Sequence, residues 1–159
     1  LAHAFGNKSW NASKGEDRYR RSIYTFIKRT APFAGFMTFD GTSGENCLAK
    51  RDRSNTPLQA LTLLNDEMYL ELARAAGQDV HQTKEDPIHA LFRRFLTRPP
   101  KQSETDALQA YYDQQIQRLQ KGELKPSEIA ETPKATPELA GKVLLARAIM
   151  NLDEAITKP

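Results

Sequence analysis

The sequence has one cysteine, three histidines and no long apolar run, and each scarcity removes a class of function. Because Cys47 is the only cysteine among 159 residues, it excludes an internal disulfide and any CxxC metal or haem-attachment motif. The histidines, His3, His81 and His89, include no pair at the i, i+4 spacing of helical zinc sites. No apolar run approaches the roughly 20 residues of a membrane span, and no signal peptide is recognisable. We therefore expect no metal ligands and no membrane span in this chain.

No arrangement of nucleophile, base and third group is recognisable either, so the sequence names no catalytic residue and leaves enzymatic activity open. Cys47 follows Glu45 and precedes Lys50 and Arg51, whose positive charges favour a thiolate. A nucleophilic cysteine also needs a positioned base, and no histidine lies nearby in the sequence. We favour a small, buried or half-buried Cys47 over a reactive thiol or a contact with another domain.

Asp40 lies in a glycine-rich turn, FDGTSGEN, together with Glu45 and Asn46. Oxygen ligands in such a turn suit a cation such as calcium, but their spacing does not match an EF-hand. Aspartate and glycine also serve the backbone geometry of ordinary surface turns, and we favour that interpretation.

Positive charge is concentrated near the N-terminus, where residues 18–53 carry eight basic and three acidic side chains. We consider three roles for its arginines: braces that pair with carboxylates, a polyanion site, or solvated surface. No zinc finger, RNP signature, KH loop or helix-turn-helix accompanies the charge, which argues against nucleic acid as a partner. We expect bracing against carboxylates of the helices or of another domain, and for Asp66 the nearest candidate partners are Arg51 and Arg53. The candidate braces are Arg20, Arg21, Arg51 and Arg53.

The chain after residue 55 is predicted to be helical, because capping residues precede apolar positions at helical spacing. Four principal helices are expected to begin near Thr56, Asp86, Ser103 and Thr136. They should end near Ala76 with Gly77 beyond it, at Pro99, at Gly122 and near Leu152. Their core is predicted to contain Leu61, Leu64, Met68, Leu72, Phe92, Phe95, Tyr112, Val143 and Ile149.

The N-terminal third is predicted to be irregular. Residues 1–17 form an irregular lead-in, and residues 18–55 an extended, loop-rich basic segment. Within it, Arg21–Arg29 is rich in β-branched and aromatic residues, which favours a short strand over a two-turn helix. The phenylalanine-rich stretch after it has too many apolar residues for a free loop. Further along the chain, residues 122–135 are predicted to be a polar surface excursion or a linker. The fold class is mainly α, either a single domain over 1–159 or the C-terminal part of a larger one.

An ordered series of motifs supports a family resemblance. The series is YRRSIYTFIKR, a phenylalanine-rich turn ending in TFD, ENC, SNTPLQALTLLND, FRRFLTRPP followed by a capped helix, and NLDEA. It resembles the C-terminal part of the planctomycete-specific domain one family, a domain of unknown function in bacterial multidomain proteins. The resemblance runs from about Tyr19 to Glu154, and the tail departs from it at Ala155, where relatives tend to have an aromatic residue.

The resemblance implies a context but no reaction. Relatives commonly carry a signal peptide, a c-type cytochrome domain and a second helical domain upstream, which implies an extracytoplasmic location and a c-type haem outside this chain. The expected role is a structural or interaction module that packs on upstream domains or on a protein partner. One alternative is that the chain is part of an enzyme that acts on a polysaccharide or a redox substrate, with its site completed by upstream residues. Another is a polyanion-binding module.

Overall fold

A computed structural model describes residues 13–25, 27, 32–42, 49–50, 53–83 and 85–157. The chain divides into two compact units, Leu1–Ser54 and Asn55–Pro159. Throughout the described ranges the regular structure is helical and no strand occurs, which confirms the mainly α class.

The first unit contains short helical turns. Two 3-10 turns, Gly15–Tyr19 and Ser22–Tyr24, precede α1, Ala34–Thr38. The expected strand at Arg21–Arg29 is wrong in its described part, because Ser22–Tyr24 is a turn closed by the Thr25 N–H donating to the Ser22 carbonyl at 3.0 Å. A β-rich composition specifies a strand only when a neighbouring strand pairs with it.

The phenylalanine-rich segment folds around α1. The Phe33 and Phe36 rings meet edge to face with their centroids 5.4 Å apart. Phe36 and Phe39 are half-buried, whereas Phe33 and Met37 are 51% and 47% exposed. Only part of this segment is therefore covered, although its many apolar residues predict more than a free loop.

The second unit contains seven helices in its described residues, and three of them begin where the sequence predicts. Thr56, Asp86 and Thr136 each accept a backbone N–H through the side chain and precede a proline at the first helical turn. These caps confirm three of the four expected starts. The helices are α2 Pro57–Asn65, α3 Glu67–Gln82, α4 Pro87–Leu96, α5 Gln102–Gln120, α6 Pro126–Ala130, α7 Pro137–Met150 and α8 Asp153–Ile156.

The expected single helix from Thr56 to Ala76 is wrong. It is interrupted at Asp66, whose backbone is extended (φ −71°, ψ 133°), and α3 then continues through Gly77 to Gln82. Gly77 lies inside the helix, where its lack of a side chain makes room for a neighbouring helix. A Cβ at this position would lie 2.9 Å from the Val143 backbone nitrogen, so Gly77 lets α3 approach α7 closely.

Other boundaries differ by small amounts or by added elements. The α4 helix ends at Leu96, before Pro99, because Thr97 takes the left-handed conformation (φ 61°). The α5 helix begins at Gln102, one residue before the expected Ser103. The polar excursion at 122–135 contains α6, whose Ala130 is buried. A proline start and a buried alanine mark α6 as part of the folded unit rather than a linker.

The core of the second unit is organised around α7, which packs against α3, α4, α5 and α6. Eight of its fourteen residues are buried, so the helix is covered on most sides, as for a central helix in a small domain. Phe92, Val143 and Ile149 are buried as predicted, and Phe95 and Tyr112 pack at the edge of the core.

The other four predicted core residues are not fully buried. Leu61 and Leu72 are 56% and 41% exposed, so their assignment to the core is wrong, and Leu64 and Met68 are only half-buried. The sequence of this region is apolar on nearly every side, and periodicity alone does not decide which side faces the core.

Candidate functional site

The outward face of α2 carries no charged side chain, and its polar side chains bond to the backbone of the helix. No residue of Pro57–Asn65 is charged, and Leu58 and Leu61, one helical turn apart, are 59% and 56% exposed. The polar side chains beside them bond to the helix itself: Thr62 Oγ1 donates to the Leu58 carbonyl at 2.8 Å, and Asn65 Nδ2 donates to the Leu61 carbonyl at 2.8 Å. We call this surface, Leu58, Leu61, Thr62 and Asn65, the leucine face.

The opposite side of α2 is held by polar contacts. Gln59 is 1% exposed, and its Oε1 accepts the Thr56 N–H at 2.9 Å while its own N–H donates to Thr56 Oγ1 at 3.3 Å. This reciprocal pair is the capping box that the sequence predicts. Arg147 of α7 donates from Nη2 to the Leu64 carbonyl at 2.9 Å. On its inner side α2 is thus bonded to α7 through Arg147, and the leucine face points outward.

Asp66 joins α2 to α3 and serves both helices. Its N–H donates to the Thr62 carbonyl at 2.9 Å, and its Oδ1 accepts the Met68 N–H at 2.9 Å. The side chain is exposed, so its charge does not depend on a buried cationic partner. The structure therefore gives Asp66 a capping role, and the proposed pairing with Arg51 involves a residue outside the described ranges.

A charged cluster that the sequence did not single out links three elements of the second unit. Arg98 donates through two N–H groups to Glu104 at 2.7 and 2.9 Å, and through two to Glu154 at 2.5 and 2.8 Å. Its guanidinium carbon lies 4.9 Å from the centroid of the buried Phe92 ring. We call Arg98, Glu104 and Glu154 the arginine cluster. It connects the end of α4 to the start of α5 and to α8.

Bonding in the arginine cluster stabilises the charged forms. The hydrogen bonds from Arg98, and then that from the Lys101 N–H, lower the pKa of Glu104 from 4.5 to about 2. The same guanidinium lowers the pKa of Glu154, and hydrogen bonds to Glu104 and Glu154 raise the pKa of Arg98. Carboxylates held this firmly in the ionised state are poor proton donors at neutral pH, so the geometry indicates a structural lock rather than general acid catalysis.

The sequence motifs include members of the arginine cluster but do not indicate that they bind one another. Arg98 lies in FRRFLTRPP and Glu154 in NLDEA, two of the motifs that carry the family resemblance. Glu104 was expected at the opening of a helix, and it does accept the Lys101 N–H there at 2.7 Å. The two bonds between Arg98 and Glu154 span 56 residues, and no local pattern predicts such a pair.

Asp40 binds Ser54 within the first unit. Its two carboxylate oxygens accept the Ser54 N–H at 2.8 Å and the Ser54 hydroxyl at 2.7 Å, while its backbone is left-handed (φ 55°). This pairing closes a loop and fits the turn role expected from the sequence. Glu45 and Asn46, the other proposed calcium ligands, lie outside the described residues.

Two of the four candidate braces, Arg20 and Arg21, are exposed in the first unit. Arg20 pairs with Asp17 at 2.7 Å, with both side chains 61% exposed, and the Arg21 guanidinium lies 6.0 Å from the Tyr24 ring centroid. Arg53 is exposed as well. Cys47 and Arg51 lie outside the described residues.

A shallow depression of about 400 Å³ lies at the start of α7, where Tyr112, Asp113, Glu138 and Lys142 contribute to its lining. Burial, followed by the charges of Glu138 and Asp113, raises the pKa of Tyr112. The Lys142 Nζ lies 3.5 Å from His81 Nδ1. This long contact is exposed and His81 does not line the depression, so the depression gives no basis for assigning a reaction.

The described residues offer neither a metal site nor a membrane span. No three histidine, cysteine, aspartate or glutamate side chains in the described ranges lie where they would share a metal ion. No helix found there is both long and apolar enough to cross a bilayer.

Comparison with known proteins gives one match. No curated protein and no solved structure matches the chain. A family model matches residues 2–112, which include α1 to α4, the first unit and more than half of α5. Since the match covers well over half of the sequence, the chain belongs to the PSD1 family, described as a protein of unknown function (DUF1553).

Proposed function

We propose that this chain is a non-catalytic helical module that docks on a neighbouring domain of the same polypeptide through the leucine face of α2. The observation that carries the proposal is the exposure of Leu58 and Leu61 on a helix without a charged residue, beside polar side chains that bond to their own helix. The cores of protein interfaces are depleted in charged residues in the same way.

The small size of the leucine face favours a tethered partner. A standard interface buries about 800 Å² per partner, and two leucines with their neighbours cover only a part of that area. A connecting chain raises the effective concentration of a partner to the millimolar range, so a weak contact is then occupied. A domain in the same polypeptide fits this requirement better than a separate protein.

The family resemblance supplies the wider proposal. We infer an extracytoplasmic multidomain protein of the planctomycete-specific type, with a c-type cytochrome domain upstream. Support for this context comes from the order of the motifs, from YRRSIYTFIKR to NLDEA, and from membership of the PSD1 family. A haem absorption spectrum of the complete gene product and its recovery from the extracytoplasmic fraction test both inferences, and a haem-free cytoplasmic product contradicts them.

Hydrogen exchange tests the docking directly. Amide exchange over 57–65 is compared between the 159-residue chain and the complete gene product. We expect stronger protection of α2 in the complete product, and loss of that extra protection in the L58E/L61E variant. Leu152→Glu is the matched control, because Leu152 is exposed at 36% and lies outside the leucine face. Equal protection of α2 in both proteins, or a complete gene product without a further domain, overturns the proposal.

A further inference from the structure

The break between α2 and α3 separates a donor and an acceptor that would pair in a continuous helix. In an α-helix the Met68 N–H donates to the Leu64 carbonyl, four residues earlier. Here the Met68 N–H donates to Asp66 Oδ1 at 2.9 Å, and the Leu64 carbonyl accepts Arg147 Nη2 at 2.9 Å. Two side chains therefore replace the two halves of one backbone hydrogen bond.

The sequence at the break favours a helix as much as a break. The segment LLNDEMYL contains neither proline nor glycine, the residues that usually interrupt helices. Hydrogen bonds on either side already have helical i→i−4 partners: the Asp66 N–H donates to the Thr62 carbonyl at 2.9 Å, and the Leu70 N–H to the Asp66 carbonyl at 3.1 Å. Only a few residues around Asp66 would have to change conformation.

Arg147 leaves the bent arrangement incompletely bonded. Within the described part of the chain, its Nε is buried and has no hydrogen-bond partner, and neither has Asn151 Oδ1 one turn further along α7. A buried donor without a partner destabilises the arrangement that contains it. The contact that holds the Leu64 carbonyl away from Met68 thus has an energetic cost of its own.

From these contacts we infer that Asp66 is a hinge between two states of the chain, one bent and one extended. The bent state is the observed one, with Asp66 capping α3 and Arg147 bound to Leu64. In the extended state Pro57–Asn65 and Glu67–Gln82 form one helix, the Met68 N–H donates to the Leu64 carbonyl, and α2 leaves the surface of α7. Removal of either side-chain partner shifts the population toward the extended helix.

The hinge stands independently of what docks on the leucine face. It does require that α2 is weakly held, and Gln59 is the one residue of α2 that is buried. The core of the second unit lies on α3, α4 and α7, among Ala73, Phe92 and Ile149, and does not include α2. Movement of α2 therefore leaves that core intact.

Distances between spin labels on α2 and α3 test the hinge in the full chain. Labels are placed at Leu58→Cys and Gln78→Cys, both exposed positions, in a Cys47→Ser background. A continuous helix separates these backbones by about 30 Å, from 20 steps of 1.5 Å, and any bend shortens the distance. We expect a mainly short distance in the otherwise unchanged chain. Asp66→Ala should raise the ratio of extended to bent molecules roughly fivefold, as for loss of a helix cap.

Two further variants make the result decisive. The D66A/R147M variant should populate the distance near 30 Å more than either single change, whereas Asp66→Asn retains a capping oxygen and should resemble the unchanged chain. An unchanged distance distribution in D66A/R147M overturns the hinge. A broad distribution with loss of cooperative thermal unfolding overturns it too, because the hinge leaves the α3–α4–α7 core intact.

Discussion

Arg98 Nη2 donates to Glu154 Oε2 at 2.5 Å, and this bond fixes the C-terminal α8 to the loop between α4 and α5. The same guanidinium binds Glu104, six residues away, through two hydrogen bonds, so one arginine connects the start of α5 to the distant α8. Paired hydrogen bonds between a guanidinium and a carboxylate fix both distance and orientation, which a lysine in this position would not do.

The first prediction concerns the pH dependence of stability. The pKa of Glu104 is lowered from 4.5 to about 2, so its contribution to the free energy of unfolding is present above pH 4.5 and is lost as the pH falls toward 2. The lowered pKa of Glu154 acts in the same direction. We expect Glu104→Gln to be less stable than the unchanged chain at pH 7, with a difference that shrinks between pH 4.5 and 2.

Urea unfolding at a series of pH values measures this difference. Glu128→Gln is a suitable control, because Glu128 and its partner Lys125 form a surface pair with side chains 69% and 72% exposed. Such exposed pairs contribute little to stability because solvent screens them. A pH-independent effect of Glu104→Gln would show that the carboxylate is not held in its charged form.

The second prediction separates the core from the leucine face. Ile149→Ala should lower the free energy of unfolding by about 2–5 kcal/mol, because Ile149 is 0% exposed and its truncation leaves a cavity. Leu61→Ala should change it by no more than about 0.5 kcal/mol, since Leu61 is 56% exposed. Chemical denaturation of both variants in the 159-residue chain measures this, and equal losses would contradict the structure.

Helix starts could be predicted from the sequence, whereas the buried face of an apolar helix could not. Helix starts depend on local chemistry, so Thr56, Asp86 and Thr136 were identified from their side chains and the following prolines. Which face of an apolar helix lies inside depends on the rest of the fold, and Leu61 was therefore assigned to the core when it is on the surface. Asp66 was considered as an ion-pair partner, whereas its capping role depends partly on Arg147, 83 residues from Leu64.

The third prediction follows from the close approach of α3 and α7. An added Cβ at Gly77 would lie 2.7 Å from Val143 Cγ2 and 2.9 Å from the Val143 backbone nitrogen. Gly77→Ala should therefore destabilise the chain by about 1–3 kcal/mol, although alanine is the better helix former. Gly141→Ala should cost less, because its nearest neighbour, at 2.6 Å, is the flexible Cδ1 end of Ile116. Thermal unfolding ranks the two, and a stabilised Gly77→Ala would contradict the packing described.

Gly77 also illustrates why one boundary was predicted wrongly. A glycine after an apolar helical run is a common helix end, and the local pattern supported that interpretation. Its place inside α3 is decided by Val143, which is 66 positions away and invisible to a local pattern. The arginine cluster was missed for the same reason. Arg98 and Glu154 lie in noted motifs, but the contacts that join α5 and α8 through Arg98 depend on the folded structure.

The fourth prediction concerns the arginines of the basic segment. If Arg51 braces a buried carboxylate, Arg51→Met should lower stability by several kcal/mol, since it leaves a charge unpaired. Arg20→Met is the control, because the Arg20–Asp17 pair is exposed and contributes about 0–1 kcal/mol. Denaturation midpoints are measured together with heparin binding. Undiminished stability of Arg51→Met with tight, salt-sensitive heparin binding would favour a polyanion surface instead.

The last prediction concerns where the folded unit ends. The family match stops at residue 112, but α3 and α4 bury Ala76, Leu91 and Phe92 in the same cluster as Leu145 and Ile149 of α7, beyond that point. Residues 55–112 alone would expose these apolar side chains, at a cost of roughly 25 cal/mol per Å² of apolar surface. We expect the 55–112 fragment to lack cooperative thermal unfolding and the 55–159 fragment to show it, as measured by circular dichroism at 222 nm. Cooperative unfolding of 55–112 would show that α7 is dispensable, and failure of 55–159 to fold would show that the second unit needs residues 1–54.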